Sequence, residues 1–492
     1  MENIAFLPIG PEVVLLAGAV LVLMAGVALK LGSRDWAIVA GVSLVASFLL
    51  SWMQWLRVDD LGRQLSFSAR GVSAPNTPMV VMDAFSAFGG MVLFAVAILA
   101  VTAAWRLVVA LGERGPEFVA LLLLATAGLH IMMISANLIL LFIGLETASI
   151  ALYVVAGFTR AEPHSDESAM KYFLLGSFAS AIFLYGIALV FAATGSLSIY
   201  GGGGILAFFR DEPVPLLDVG VLLAGISLMI AGLGFKISAA PFHQWAPDVY
   251  QGAASGAVPL MTAGVKVAGI ATVARVLVGT FESRIDDWAP VIAVIAALSV
   301  VVGTLGAIAQ RDVKRMLAYS GVAHAGFMLT GLVGGISGIP AVWFYLATYA
   351  IQLVGAFIVV TIVSGSSRGR SSFDDYQGLA RRSPWVAAAM ATFMLGMGGI
   401  PVFTGFVGKI GVFGAAIGAG YLWLVIVGLV ASVAGLFFYL RIIVLMYFED
   451  GEAPAPATTR GAGSALAVAA AVTLVVGVVP WPLLNLVQHA LF

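Results

Sequence analysis

The chain has 492 residues, of which 61% are apolar and 10% charged, and its formal net charge is −1. Soluble domains carry roughly 25% charged residues, so a string of water-soluble domains is excluded, as are nucleic-acid binding and disorder, which both need charge. Cysteine is absent, which excludes disulfides, thiolate metal sites, iron–sulfur clusters and cysteine nucleophiles held by this chain.

What remains is an all-α polytopic membrane protein. Lipid offers no partner to a bare N–H or C=O, so each crossing satisfies its own backbone as a helix of about 20 apolar residues. A membrane barrel would alternate over ten-residue strands instead. In chain order the sequence predicts fourteen spans, at 11–31, 36–56, 82–105, 117–135, 137–158, 169–194, 216–238, 256–280, 288–309, 314–335, 340–364, 385–416, 420–448 and 463–486. No Lys or Arg precedes the first, so it reads as a retained span and not as a secretory signal. The 57 glycines suit helices that pack closely.

Charge inside these spans is sparse and placed singly. Glu146 in span 5 is the only charged residue between Glu117 and Arg160. Lys171 opens span 6 just after Glu167. Lys236 ends the Gly232-Leu-Gly-Phe-Lys236 stretch of span 7, with Pro241 following. Lys266 stands alone in span 8 between Asp248 and Arg275. Lys409 in span 12 follows Gly398-Gly-Ile-Pro401, Gly405 and Gly408, and is the only charge between Arg382 and Arg441. Lys236 and Lys409 thus both sit in helices broken by Gly and Pro. Paired interrupted helices in two halves point to a transporter built from inverted repeats.

Each deep charge costs roughly 2.5–3.5 kcal/mol on insertion scales, so Glu146, Lys236, Lys266 and Lys409 must face a protein or water interior. The residue type matters. A buried Lys can release a proton, whereas Arg in practice cannot. A row of Lys with one Glu suits a protonation relay, in which a nearby Glu146 keeps a lysine charged and its withdrawal lets the proton leave. The competing reading is a set of buried ion pairs that fix helix register. For Lys171, beside Glu167, snorkelling to the interface competes with relay work.

Of the five histidines, His164 and His489 lie in a loop and near the end, and His130 reads as a satisfied core residue. His243 falls just past the break after Lys236, and His324 follows Tyr319 and Ser320 in span 10; both can titrate near neutral pH. No His pair has metal-ligand spacing with carboxylates nearby, so no metal is expected. Gly201 to Gly204 lacks the Lys-Ser/Thr of a phosphate loop, and no nucleophile elbow is present.

The loops give an orientation. The odd-numbered loops hold Lys30, Arg34, Arg106, Arg114, Arg160, Arg311, Lys314, Arg315, Arg368, Arg370, Arg381, Arg382 and Arg460. The even-numbered loops and termini hold only Arg57, Arg63, Arg70, Arg210 and Arg284. The odd loops are therefore expected to be cytoplasmic, with both termini on the outer face.

Several stretches carry a family resemblance. Asn137-Leu-Ile-Leu-Leu-Phe-Ile-Gly-Leu-Glu146, Glu167-Ser-Ala-Met-Lys171-Tyr-Phe-Leu-Leu-Gly, Phe242-His-Gln-Trp-Ala-Pro-Asp-Val-Tyr250, Lys314-Arg-Met-Leu-Ala-Tyr-Ser320, Gly399-Ile-Pro and Gly405-Phe-Val-Gly-Lys409 resemble, in the same order, the proton-translocating antiporter-like membrane subunits of respiratory complex I. The Trp-Ala-Pro-Asp-Val-Tyr wording, Lys in place of Glu at 409, and an end after span 14 without a long lateral helix single out one branch. The chain departs from the family at Val402, where a second Pro is usual, and at Ala-Ser-Gly-Ala-Val-Pro259, where Pro-Thr-Pro is usual.

The resemblance implies four regions: helices 1–3 in 1–115, a first antiporter-like half in 116–280, a second in 281–448, and a last loop and helix in 449–492. It implies that Glu146 and Lys236 form the pair at the uptake half of a mid-membrane axis, that Lys266 is the central relay lysine, and that Lys409 is the exit-side lysine. Lys171, His243, Tyr319 and His324 match accessory positions. It implies a multi-pass subunit of an NADH:quinone oxidoreductase in the bacterial plasma membrane, with neighbouring membrane-arm subunits as partners and NADH and quinone handled by the whole assembly. FMN and iron–sulfur clusters then belong to partner subunits, with no cofactor in this chain. Two other readings stay open: a subunit of a multi-subunit cation/proton antiporter, and a structural subunit whose charges only pair helices.

Overall fold

A computed structural model of the chain describes residues 6–28, 32–61, 64–66, 78–159, 163–211, 216–365 and 371–492. The helices are α1 (Gly10–Ala28), α2 (Ser33–Leu61), α3 (Ala84–Ala103), α4 (Trp105–Leu111), α5 (Gly115–Ile134), α6 (Leu138–Ala156), α7 (Pro163–Thr194), α8 (Ile205–Asp211), α9 (Leu216–Lys236) and α10 (Trp245–Gly252). They continue as α11 (Val265–Leu277), α12 (Ile285–Ile308), α13 (Val313–Leu332), α14 (Ile339–Ser364), α15 (Leu379–Arg382), α16 (Pro384–Gly398), α17 (Thr404–Gly418), α18 (Leu422–Phe448), α19 (Arg460–Val478) and α20 (Trp481–His489).

Among the described residues, twelve helical segments are long and apolar enough to cross a membrane, and they coincide with twelve of the fourteen expected spans. The other two differ for physical reasons. α13 covers the tenth span, but Lys314, Arg315, Tyr319, Ser320 and His324 dilute its apolar character. The twelfth is two short apolar helices, α16 and α17, separated by Gly399 to Phe403. The seventh stops at Lys236 and resumes as α10, and the eighth begins with one π-helical turn, Leu260–Gly264, that runs into α11. One small departure from all-α architecture is a two-stranded antiparallel ladder, β1 (Gln64–Ser66) with β2 (Val80–Met82), in register Gln64↔Met82. Lys30, Arg63, Arg70, Arg160, Arg368 and Arg370 lie outside the described residues, as do the side chains of Arg34, His164 and Arg210.

The same neighbour order occurs twice. α5 packs on α6 and α6 on α7, as α12 packs on α13 and α13 on α14. Both hairpins close backbone to backbone. A Cβ at Gly128 would sit 2.5 Å from the Ala148 nitrogen, and Gly303 faces Ala323 in the same way. Such contacts let helices adhere in lipid, where apolar side chains gain nothing by leaving the solvent. α14, buried along most of its length, is the pillar against which α3, α13, α16, α17, α19 and α20 pack. α2 and α18 turn apolar rows outward, including Leu49, Leu56, Val430 and Val433, as lipid-facing helices do.

One fully buried ion pair ties α3 to α11. Asp83 caps α3 through a reciprocal bond with Ser86. Its two carboxylate oxygens accept bonds of 2.9 Å from Arg275 at the end of α11, and Arg275 also donates to the Tyr200 hydroxyl at 2.9 Å. The guanidinium lies over Phe85, with its carbon 4.9 Å from the ring centre. Asp83→Asn leaves Arg275 buried without its counter-charge and is expected to cost about 3–5 kcal/mol. Thermal unfolding in mild detergent checks this, with Arg275→Met added to Asp83→Asn expected to restore most of the loss.

Candidate functional site

The polar interior is organised by the two helix breaks. A helix end leaves carbonyls without partners and carries the negative end of the helix dipole. Both effects suit an ammonium group.

α9 terminates at Lys236, where Gly232 and Gly234 precede and Pro241 follows. Lys236 is 3% exposed. Its Nζ donates to the Ser149 hydroxyl of α6 at 2.8 Å. Glu146, one turn earlier on α6, is half-buried and accepts a hydrogen bond from Ser180 of α7. The spacing of three residues puts Glu146 and Ser149 on one face of α6. Lys236 is within electrostatic reach of Glu146, but the two make no direct ion pair; serine hydroxyls stand at each of them. A cavity of about 10 Å³ beside these residues, lined by Ser149, Tyr153, Ser180 and Lys236, is close to the room one water needs.

Lys266, on α11 and 2% exposed, donates to the carbonyl of Ile237. That carbonyl lies directly after Lys236, in the break itself. The same Lys266 lies beside Gly321 of α13, close to the Tyr349 hydroxyl of α14. The ring of His243, within the turns of the break, lies 6.1 Å from that of Tyr319 and within electrostatic reach of Lys266. Its Nδ1 is buried without a hydrogen-bond partner.

Lys409, on α17 and 7% exposed, is held by the second break. Its Nζ donates to the Gly398 carbonyl at 2.9 Å and to Ser432 of α18 at 2.8 Å, with the Met397 carbonyl at 3.4 Å. The ammonium also stands 5.0 Å from the centre of the Phe327 ring, a cation–π contact.

Between Lys266 and Lys409 lies a hydroxyl–imidazole chain that sequence reasoning found only in part. His324 on α13 is buried and within electrostatic reach of both lysines. Its Nε2 is 2.8 Å from the Tyr439 hydroxyl and its Nδ1 is 2.9 Å from the Tyr345 hydroxyl. Tyr439 bonds on to Ser320 at 2.5 Å, and the His324 ring stacks on Tyr349 with centroids 4.1 Å apart. Tyr345 in turn abuts Gly408, the neighbour of Lys409. Tyr345 and Tyr439 carry no sequence signal, because an aromatic residue in an apolar helix reads as core until its hydroxyl is seen facing a partner.

The remaining candidates fall elsewhere. Tyr319 is half-buried beside His243. Lys171 is not in the buried axis: its side chain is 41% exposed and bonds Glu167 at 2.7 Å and Asp248 at 2.8 Å. Asp248 also receives Arg315 at 2.6 Å, so one carboxylate ties α7, α10 and α13 together. His130 is a core residue paired with Glu12 of α1. Glu12, the only acid within 11–31, is the sequence signal for this pair. Among the described residues no group of three His, Asp or Glu side chains could hold a metal.

The family described as NADH:quinone oxidoreductase/Mrp antiporter, TM, matches residues 135–435, the stretch that contains Lys236, Lys266 and Lys409. NADH-quinone oxidoreductase subunit N 1 of Solibacter usitatus is 40% identical over 420 residues, covering 84% of this chain and 85% of that one. NADH-quinone oxidoreductase subunit N of Mycobacterium tuberculosis is 42% identical over 390 residues, covering 77% of this chain and 72% of the relative. Among solved structures, a chain of respiratory complex I from Thermus thermophilus with bound aureothin superposes with a TM-score of 0.80 at 30% identity, covering 96% of this chain and 98% of that one. A chain of the Mrp complex from Dietzia sp. shares the fold at a TM-score of 0.86 and 22% identity, covering 100% and 97%.

The bond between Ser149 and Lys236 can be tested by itself. Ser149→Ala is expected to cost about 1–3 kcal/mol of unfolding stability in detergent, the penalty for an unmet buried donor. In a Lys236→Met background the same change is expected to cost far less. Equal losses in both backgrounds would show that the bond contributes nothing.

Proposed function

The chain belongs to the NADH:quinone oxidoreductase/Mrp antiporter family of membrane subunits, and we propose that Glu146, Lys236, Lys266 and Lys409 are its proton relay. The protein is a multi-pass membrane-arm subunit of a proton-translocating NADH:quinone oxidoreductase, acting with the other membrane subunits of that complex. One observation supports the relay above all others: Lys236, Lys266 and Lys409 are buried at the two helix breaks, and each is held by neutral oxygens. A structural ion pair such as Asp83–Arg275 fixes its charges permanently. An ammonium on carbonyl and hydroxyl oxygens can hand on its proton without breaking a salt bridge.

The groups follow one another as a proton would need. Glu146 stands by Lys236 and favours its charged form; a change of charge at Glu146 releases that proton toward the cavity beside Ser149. Lys266 meets the carbonyl of the next residue in the chain. From Lys266 the path continues past Tyr349 and His324 to the hydroxyls of Tyr345 and Tyr439, and so to Lys409. A neutral imidazole accepts a proton at one nitrogen while donating from the other, which fits His324 for transfer between two hydroxyls. His243 and Tyr319 border the Lys266 end. Lys171 serves by holding Asp248, and not as a carrier. Residues 116–280 and 281–448 act as the two antiporter-like halves, flanked by 1–115 and 449–492.

In this reading the odd-numbered loops face the cytoplasm and both termini face outward across a bacterial plasma membrane. Hydride and electron chemistry, with NADH, FMN, iron–sulfur clusters and quinone, takes place in partner subunits. The family also includes cation/proton antiporter assemblies, but the relatives aligned at 40% identity over 84% of the chain are named for the oxidoreductase.

Two experiments check these statements. Purified through a tag in mild detergent, the chain is expected to bring down FMN, iron and inhibitor-sensitive NADH:quinone activity; a clean assembly with none of them points instead to an antiporter. Lys266→Ala and Lys266→Arg are both expected to leave the complex assembled and to lower the protons moved per NADH oxidised, because arginine keeps the charge but cannot release a proton. Full pumping in the Arg variant would assign Lys266 a purely structural charge.

A further inference from the structure

Where α13 begins and α18 ends, a cavity of about 610 Å³ combines two arginines with an apolar wall. Arg311 lies in the turn before α13. Arg441 lies seven residues before the end of α18, which at 1.5 Å per residue places it ~10 Å inside an apolar run. The wall is Phe437, Leu440 and Val444, which are 57%, 41% and 46% exposed, and in a bilayer such surface meets acyl chains. Among the described residues neither arginine makes an ion pair.

Three other arginines have their N–H edges occupied: Arg275 by Asp83, Arg315 by Asp248, and Arg382 by the carbonyls of Ala453, Pro454, Asp375 and Gln377. Arg441 instead stacks on Phe373, its guanidinium carbon 4.6 Å from the ring centre. Stacking uses the flat face of the guanidinium and leaves the edge donors for an oxyanion in its plane. Glu449, eight positions beyond Arg441, and exposed Asp374 mark the water side of the same cavity; Glu449 accepts a bond of 2.9 Å from Gln377. Along α18, the lining therefore runs from an acid at the water side to an arginine within an apolar wall. Basic pockets between membrane helices suit phospholipid head groups, and a free anion would gain nothing from the wall.

We propose that this cavity seats a membrane phospholipid, with its phosphodiester between Arg311 and Arg441, an ethanolamine ammonium toward Asp374 and Glu449, and acyl chains along Phe437, Leu440 and Val444. The test uses the assembly that holds the tagged chain, washed identically for wild type, Arg311→Gln, Arg441→Gln and the double variant, with bound lipid counted by mass spectrometry. Wild type retains one more phosphatidylethanolamine per complex than the double variant. Phosphatidylethanolamine vesicles refill the delipidated wild type, whereas inorganic phosphate does not prevent that refilling. Equal retention in wild type and double variant overturns the site. Refilling by phosphatidylglycerol in preference overturns the head-group assignment. Protection by inorganic phosphate makes it an anion site, and a crosslink from a photoreactive residue at position 437 to another subunit makes it a protein interface. Should Arg441→Gln fail to assemble, the exposed Arg311→Gln and the refilling of wild type still decide the matter.

Discussion

An ammonium group in the membrane interior has to be solvated by the protein, and the architecture follows from how that is done. An intact helix has no spare carbonyl to offer, since each is bonded within the helix. Breaking the helix creates spare acceptors where lipid cannot reach. The break after Lys236 supplies the Ile237 carbonyl to Lys266, and the break after Gly398 supplies carbonyls to Lys409. Each deep charge costs roughly 2.5–3.5 kcal/mol on insertion scales, so the breaks belong to the charges they hold.

Both breaks also store backbone strain. Among the described residues, the only non-glycine positions with positive φ are Ser238 at 55° and Val402 at 80°, one in each break. A β-branched residue there is a genuine outlier, and such conformations cost of order 1–3 kcal/mol each. They persist because their surroundings are fixed: α14 packs against both α16 and α17, and Gly399, with φ of 81°, lies directly against the Lys409 side chain.

Direct ion pairs and lysines held by neutral oxygens are kept apart in this fold. Asp83 and Arg275 pair directly and bidentately, which suits a permanent tie between α3 and α11. Glu146 and Lys236 are separated by serine hydroxyls, and His324 is shared by two tyrosines. The partly exposed cluster of Lys171, Asp248 and Arg315 joins α7, α10 and α13, and so places the two hairpin-based halves in a fixed relation at one edge of the axis.

Much of this was legible in the sequence. The lack of charge required helices in lipid, solitary Glu146, Lys236, Lys266 and Lys409 required a shielded interior, and Gly and Pro clusters placed both breaks. These are consequences of composition and local backbone chemistry, which one strand of sequence contains. Lys171 illustrates the limit: its position at the head of a span fits relay and interface alike, and only folding reveals its contacts with Glu167 and Asp248. The oxygens that hold each lysine come from residues remote in the chain, such as Ser149 for Lys236 and Ser432 for Lys409. Tyr345 and Tyr439 become polar partners only once folding brings their hydroxyls to His324. Sequence by itself determined that Lys236, Lys266 and Lys409 are shielded and where the helices must break. Tertiary structure alone decided what solvates each charge, because hydrogen bonds act over about 3 Å and only folding brings distant residues that close.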